Sequence, residues 1–313
     1  MDTYLIDYEG SSYRLPVLLE WKFSYGCALP CDAFEITFIF DKSMIDVLTK
    51  AVRFRAEQKG ETVFLGVVDD YEISITENGC IVTINGRGLA ALLLDNEAEA
   101  AQYYSASLDM ILEKYVYPYG IRNVRKNVSP PQQALEVNSG ASLWKVLEDF
   151  VWFGCGVKPR FTKDGVLLIG EEKSQSFIFN ENTAVTKHVL KRSRYGVISE
   201  VLVKNKVLGI TETVENTRFS ELGGCCRRVV NVPRKTRYDA MRSTGEYQIS
   251  QSKAKELTVT LTVPSVFEVF PGDMVELTGS PLGLTGDFFV SRTSCFADGD
   301  RAGTELVLTS AEV

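Results

Sequence analysis

VFLGVVDDYEISITENGCIVTINGRGLAALLLDNEA, residues 63 to 98, admits two incompatible readings, and the choice between them decides the fold. In the first, Gly86-Arg87-Gly88-Leu89-Ala90-Ala91 follows the strand-like Ile81-Val82-Thr83-Ile84 and leads into the apolar Leu92-Leu93-Leu94, matching the glycine fingerprint of a dinucleotide site. Such a site needs its glycine turn between the first strand and first helix of a parallel unit, so that the helix N-terminus faces a pyrophosphate. In the second, Ile73 and Ile75 alternate, Glu77-Asn78-Gly79 is a tight turn, and a new strand starts at Cys80 or Ile81. That is an antiparallel hairpin, the wrong neighbour for the fingerprint. The acidic residue that should follow about twenty positions on would be Asp109. It falls instead within Ser107 to Tyr117, where Leu108, Ile111, Leu112 and Tyr115 have helical spacing. The hairpin reading prevails: Gly86 and Gly88 are flexible positions where the chain leaves a strand, and no cofactor is expected.

Working outward on the N-terminal side, strand follows strand from Tyr4 to Arg87. Tyr13-Arg14-Leu15 opens one, Glu20 to Tyr25 alternates, and Phe34, Ile36, Phe38 and Phe40 share a face of Ala33 to Phe40. Ser43 to Thr49 reads as a short helix, and Lys59-Gly60 as the turn between Lys50–Glu57 and Thr62–Glu72. One apolar face per strand predicts a half-buried antiparallel sheet or barrel. On the other side composition shifts. Leu89 to Tyr117 is rich in Ala, Leu and Glu and reads helical, Val128 to Gly140 reads as a loop, and Ser142 to Phe153 is a second helix with its stripe at Leu143, Val146, Leu147 and Phe150. Two short strands around Lys163-Asp164-Gly165 complete a small α/β region. Strands then return: a hairpin about Asn205, the alternating Glu256 to Val263, Met274 to Leu277, Asp287 to Cys295 and Thr304 to Thr309. Between them the connection 206–254 has no clear pattern beyond partial helix at Tyr238 to Ser250. The fold class is therefore α+β and mainly β. Its domains are expected at 1–87 (first β-barrel), 88–180 (inserted α/β domain) and 181–313 (second β-barrel).

Three groups of residues resemble one family. The strand Gly66-Val67-Val68-Asp69 with the exit Gly86-Arg87-Gly88-Leu89 to Asp95, the run Gly140-Ala141-Ser142-Leu143-Trp144 with Asp164-Gly165-Val166-Leu167-Leu168-Ile169, and the C-terminal segments Val269 to Leu277, Leu282 to Val290 and Thr304 to Thr309 resemble phage tail baseplate hub proteins of the late control protein D type. The resemblance implies two tube-type barrels per chain. It also implies a homotrimer whose six barrels form a pseudo-sixfold ring, adapting a hexameric tail tube to a trimeric central spike. Tube, spike, other baseplate proteins and the tape-measure protein are the implied partners. The virion tail or a tail-like particle, assembled in a bacterial cytoplasm, is the implied location.

The 313-residue chain suits two or three domains, and 45% hydrophobic with 24% charged residues argues against disorder. No apolar run is long enough to span a bilayer, and Asp2, Asp7, Glu9 and Arg14 do not make a secretion signal. Seven scattered cysteines do not form a disulfide framework. Cys27 and Cys31 with Cys225 and Cys226 lack the knuckle spacing of a zinc site, so no metal is expected. The single histidine, His188, lies in a basic stretch without an acidic orienter or a nucleophile elbow. Asp69-Asp70 and Glu171-Glu172 are the carboxylate pairs a wall hydrolase would use. Adjacent residues on a regular strand face opposite ways, so neither pair is expected to flank one bond. No catalytic residue and no enzyme activity are expected; a tail-associated wall hydrolase and a nucleotide enzyme using Gly86 to Ala91 are the alternatives. Between Lys187 and Arg242 thirteen basic residues face five acids, so this segment is +8 and, with −7 overall, the remainder is −15. Without stacking aromatics or a recognition helix it predicts pairing with the acidic remainder of a neighbouring copy rather than specific nucleic-acid binding.

Overall fold

The hairpin at the centre of the quoted stretch is present in the computed structural model, which describes residues 1–26, 31–77, 79–172, 174–232, 238–254 and 256–310. Asn78 of the expected turn, Cys27, and Arg234, Lys235 and Arg237 of the basic segment lie outside the described residues. The chain is mainly β, with antiparallel pairing dominant, and divides into two units. The first comprises Met1–Ser174, Pro264–Pro271 and Arg292–Glu305; the second comprises Gln175–Val263, Gly272–Ser291 and the chain from Leu306 onward.

In the first unit β1 (Asp2–Asp7), β2 (Ser12–Arg14), β3 (Leu18–Gly26), β4 (Ala33–Ile39), β5 (Ala51–Gln58), β6 (Glu61–Thr76) and β7 (Gly79–Gly88) form a sheet in the order β3-β4-β7-β6-β5-β1-β2. Helix α1 (Ile45–Lys50) joins β4 to β5. Lys59 and Gly60, with φ of 53° and 82°, make the two-residue turn between β5 and β6, whose left-handed backbone suits the twist of paired strands. Alternation sends Phe34, Ile36 and Phe38 of β4 inward, where they join Phe23, Phe54 and Phe64 in one aromatic core. Phe34 stacks on Phe54 at 4.3 Å and Phe23 on Phe64 at 5.2 Å between ring centroids. Residues from the far end of the chain finish this sheet. Residues 292–297 pair antiparallel with β3, aligning Cys295 with Phe23, and Phe267 and Phe270 pack against the same core.

A second core in this unit takes over between Ile84 and Ala90 in sequence. Its elements are α2 (Ala91–Leu94), β8 (Glu97–Ala98), β9 (Ala101–Ala106), α3 (Leu108–Tyr115), β10 (Val124–Lys126), β11 (Gln133–Val137), β12 (Ala141–Ser142), α4 (Leu143–Cys155), β13 (Arg160–Phe161) and β14 (Leu167–Ile169). Ser107 and Ser142 cap α3 and α4, each hydroxyl accepting from the backbone N–H three residues on, at 3.2 Å. Leu108, Ile111 and Leu112 of α3 and Leu143, Val146, Leu147 and Phe150 of α4 meet in the core, as their spacing required. The helical reading of Leu89 to Tyr117 is corrected: only α2 and α3 are helical, with β8 and β9 between them. In β9 Gln102 and Tyr104 point outward while Tyr103 turns inward and pairs with Leu135 of β11, so the period here is two, although Leu89 to Tyr117 as a whole is rich in Ala, Leu and Glu. The expected loop 128–140 likewise contains β11.

In the second unit β15 (Ser176–Asn180), β16 (Lys187–Arg192), β17 (Glu200–Asn205), β18 (Ile210–Glu215), α5 (Thr217–Glu221), β19 (Arg227–Val232), α6 (Tyr238–Ala254), β20 (Leu257–Val263), β21 (Met274–Thr278), β22 (Thr285–Asp298) and β23 (Arg301–Ser310) follow in order. The last two run on into the first unit. One sheet has the order β16-β20-β23-β22-β21-β15. Among the described residues of the connection 206–254, β18 and β19 join β17 in a separate three-stranded sheet, order β18-β17-β19, whose Val201, Val203, Val214 and Val232 share a core with Met241 and Ile249 of α6. In neither unit do the end strands of the larger sheet pair with each other among the described residues.

Candidate functional site

The motif residues at the exit of β7 converge on Arg87. A β-bulge interrupts β6 between Val68 and Asp70, leaving Asp69 without a partner across the ladder. An extra residue on one strand tilts two neighbours toward the same face. Asp69 thereby meets Arg87, its Oδ2 accepting from Nε at 2.7 Å and its Oδ1 from a terminal nitrogen at 2.8 Å, while Asp70 accepts from Asn85 at 3.1 Å. Arg87 and Asn85 lie two apart on β7, so both adjacent carboxylates serve one face. The expectation that they oppose each other is corrected by the bulge. The second fork of Arg87 reaches Asp95, just after α2, at 2.7 and 2.9 Å. One guanidinium therefore brackets β6, β7 and the end of α2 through four charge-assisted bonds. Hydrogen bonds donated to Asp69 and then to Asp95 hold the Arg87 cation, and the bond from Arg87 keeps the Asp95 carboxyl below its ordinary range. Arg87→Met is expected to cost about 1 kcal/mol, since the pairs are part-exposed and screened; a lower urea midpoint at constant slope would measure it.

The glycines flanking Arg87 are consumed by packing. A Cβ on Gly86 would lie 2.1 Å from the Val67 carbonyl oxygen and 2.3 Å from the Phe34 ring. Gly88 donates its N–H to the Asp32 carbonyl at 2.8 Å, and its own carbonyl accepts from the Cys31 thiol at 3.4 Å. Gly86 pairs with Phe34 of β4 and Val68 of β6, and Gly88 ends β7 opposite Gly66 of β6. The next helix, α2, is only four residues long. A phosphate cradle needs free N–H groups at a strand-to-helix turn, and this geometry does not offer that arrangement.

Asp32, partly buried beside this junction, accepts from the Gly26 N–H at 3.1 Å. Burial pushes its carboxyl up to about 7, against the pull of the Gly26 N–H and of Arg160. Burial also pushes the neighbouring Cys31 thiol up to about 12, with the Asp32 charge adding to it. Because Asp32 binds its proton more tightly folded than unfolded, the stability this group contributes is fully present at low pH and is lost as pH rises from about 4, the ordinary carboxyl value, through about 7. Asp32→Asn retains an acceptor for Gly26 and removes that loss. Its melting temperature is expected to match the parent near pH 4 and to exceed it by about 3 °C or more at pH 8; thermal denaturation across this range is the check.

His188 lies on β16, partly buried, with its Nδ1 lacking a hydrogen-bond partner among the described residues. Among the described residues no carboxylate accepts from that nitrogen as the orienting acid of a triad would. Glu172 is engaged by Arg125 and Arg160. Among the described residues no group of three or more His, Cys, Asp or Glu side chains is placed to hold a metal, and no helix is long and apolar enough to cross a membrane. Sequence reading took Gly86-Arg87-Gly88 as a junction but missed the roles of Asp69, Asp95 and Asp32. A lone arginine between Asp69 and Asp95, one in each flanking segment, was the available signal for the first two.

No family model matches the chain, and no curated protein matches it. Solved structures do. The tail protein from Neisseria meningitidis MC58 superposes with a TM-score of 0.80 at 16% identity, over 99% of this chain and 96% of that one. The 43 kDa tail protein of prophage MuSo2 from Shewanella oneidensis gives 0.76 at 18%, over 99% and 98%. The Escherichia coli c3393 protein, a type VI secretion system component described as similar to the T4 bacteriophage tail proteins gp27 and gp5, gives 0.57 at 12%, over 94% and 74%. The chain shares its fold with phage tail proteins and a component of a related secretion machine, the group to which the sequence resemblance pointed.

Proposed function

We propose that the chain is a structural baseplate hub protein of a phage tail or phage tail-like particle, a trimeric adaptor between a hexameric tail tube and a trimeric central spike. The observation that carries this is the shared fold with tail proteins over nearly the whole length of both chains. The strands of the 13-stranded sheet fall into two sets, one in each unit, and support a reading as two tube-type domains, with 1–87 and 181–313 as their main segments and 88–180 inserted between. In that arrangement two related domains per subunit turn threefold into sixfold symmetry without a change of partner. The site chemistry supports a scaffold role. The carboxylates at the exit of β7 are tied to Arg87 and Asn85 rather than set across a bond to be cleaved. The partners are the tail tube and spike proteins, with other baseplate proteins and the tape-measure protein adjacent, and the location is the tail. Light scattering of the purified chain mixed with its tube and spike proteins tests the reading: a complex holding three copies is expected, and a strict monomer binding neither protein would overturn it.

A further inference from the structure

Two strands of this chain have an open side, and their charges are opposite. β6 pairs with β5 only as far as Val67, so from Asp70 to Thr76 it is held by β7 alone and its other backbone edge is open among the described residues. Residues 69–77 along this edge, DDYEISITE, carry four carboxylates and no cation. Asp69 and Asp70 are bonded to Arg87 and Asn85, whereas Glu72 and Glu77 are exposed and form no ion pair among the described residues. Ile75 beside them is 78% exposed. β16 is an end strand of its sheet, paired with β20 on one side only among the described residues. Residues 187–194, KHVLKRSR, carry four cations and no carboxylate. Lys187, Lys191 and Arg192 are exposed and likewise form no ion pair among the described residues, and Val189 between them is exposed too.

We infer that the β6 edge at 70–76 of one copy takes β16 of a second copy as an added strand. An open edge offers a row of backbone N–H and C=O groups to an extended segment, so main-chain hydrogen bonds supply the affinity and side chains select the partner. Lysines on β16 repel a second β16 and carboxylates on β6 repel a second β6, so each edge rejects its own kind and accepts the other. An antiparallel register that sets Lys191 opposite Glu72 also sets Leu190 opposite Ile73, and brings Lys187 opposite Thr76, next to the turn that carries Glu77. Charged side chains then match on one face and apolar ones on the other. Both halves of the contact are present in every copy, which is why the complementarity favours a second copy as the occupant. A contact between two different edges is head-to-tail and closes into a ring when repeated about one axis. The assignment rests on the hub reading, which places several copies in one ring, and it names the strands by which one copy holds the next.

Sedimentation velocity of the full chain, alone and with its tube and spike proteins, tests this. Wild-type association is expected to weaken as salt rises. Lys187→Glu with Lys191→Glu, and separately Glu72→Lys with Glu77→Lys, are each expected to weaken it by about tenfold or more, and the chain carrying both reversals is expected to recover to within about threefold of wild type. Hydrogen exchange of the wild-type chain gives a reading free of substitutions: amides in 70–76 and 187–192 should slow on association. Reversal variants that assemble like wild type, a double reversal that stays as weak as either one, or unchanged exchange in both strands on association would each overturn the strand contact while the hub reading stands. A wild-type chain that associates with nothing sinks the hub reading, and this contact with it.

Discussion

Gly86→Val is expected to destabilise the protein by about 3 kcal/mol or more, among the severest effects of any single substitution in the first sheet. The new Cβ would sit 2.1 Å from a backbone oxygen of β6, which cannot rotate away, and 2.3 Å from the ring of Phe34, itself stacked on Phe54. Either the β6–β7 ladder separates or the aromatic core reorganises. Two branches at Cβ deepen the clash. The outcome also separates two accounts of the glycine motif. A glycine kept for a ligand would allow a well-folded variant that merely fails to bind, whereas this geometry predicts a shift in the denaturation midpoint or loss of soluble protein. A variant with wild-type melting behaviour would contradict the packing described.

Phe23→Ala is expected to cost about 3–5 kcal/mol, the range for removing a buried aromatic ring. Phe23 is fully buried, and its ring lies 5.2 Å from those of Trp21 and Phe64, 5.8 Å from Phe54 and 6.0 Å from Phe267. The contact with Phe267 matters most, because 264–271 and 292–305 reach this core from far along the chain. Loss of the ring should loosen these late segments together with the N-terminal strands. Hydrogen exchange in Phe23→Ala should therefore quicken in residues 292–297 as well as in β3 and β4. Protection unchanged in 292–297 would mean that the last strands do not depend on this core.

The strands of the first sheet were legible because one face of each is buried, which forces alternation at Phe34, Ile36 and Phe38. Both capped helices were legible for a similar reason, since Ser107 and Ser142 precede stripes of helical period. What escaped was set by pairing across long stretches of chain. Nothing local to Cys295 tells that it aligns with Phe23, and the period of two in β9 spans too few residues to outweigh the Ala-, Leu- and Glu-rich sequence around it. The bulge at Asp69 was hidden because it is a property of two strands in register, and so the shared face of Asp69 and Asp70 was hidden with it. The charge asymmetry was plain in the sequence.

Electron microscopy of assembled tail particles tests directly the proposed role of joining a sixfold tube to a threefold spike. Three copies are expected in a ring at the end of the tube, immediately above the spike. Particles that lack the chain, or that carry it in six copies along the tube, would contradict it.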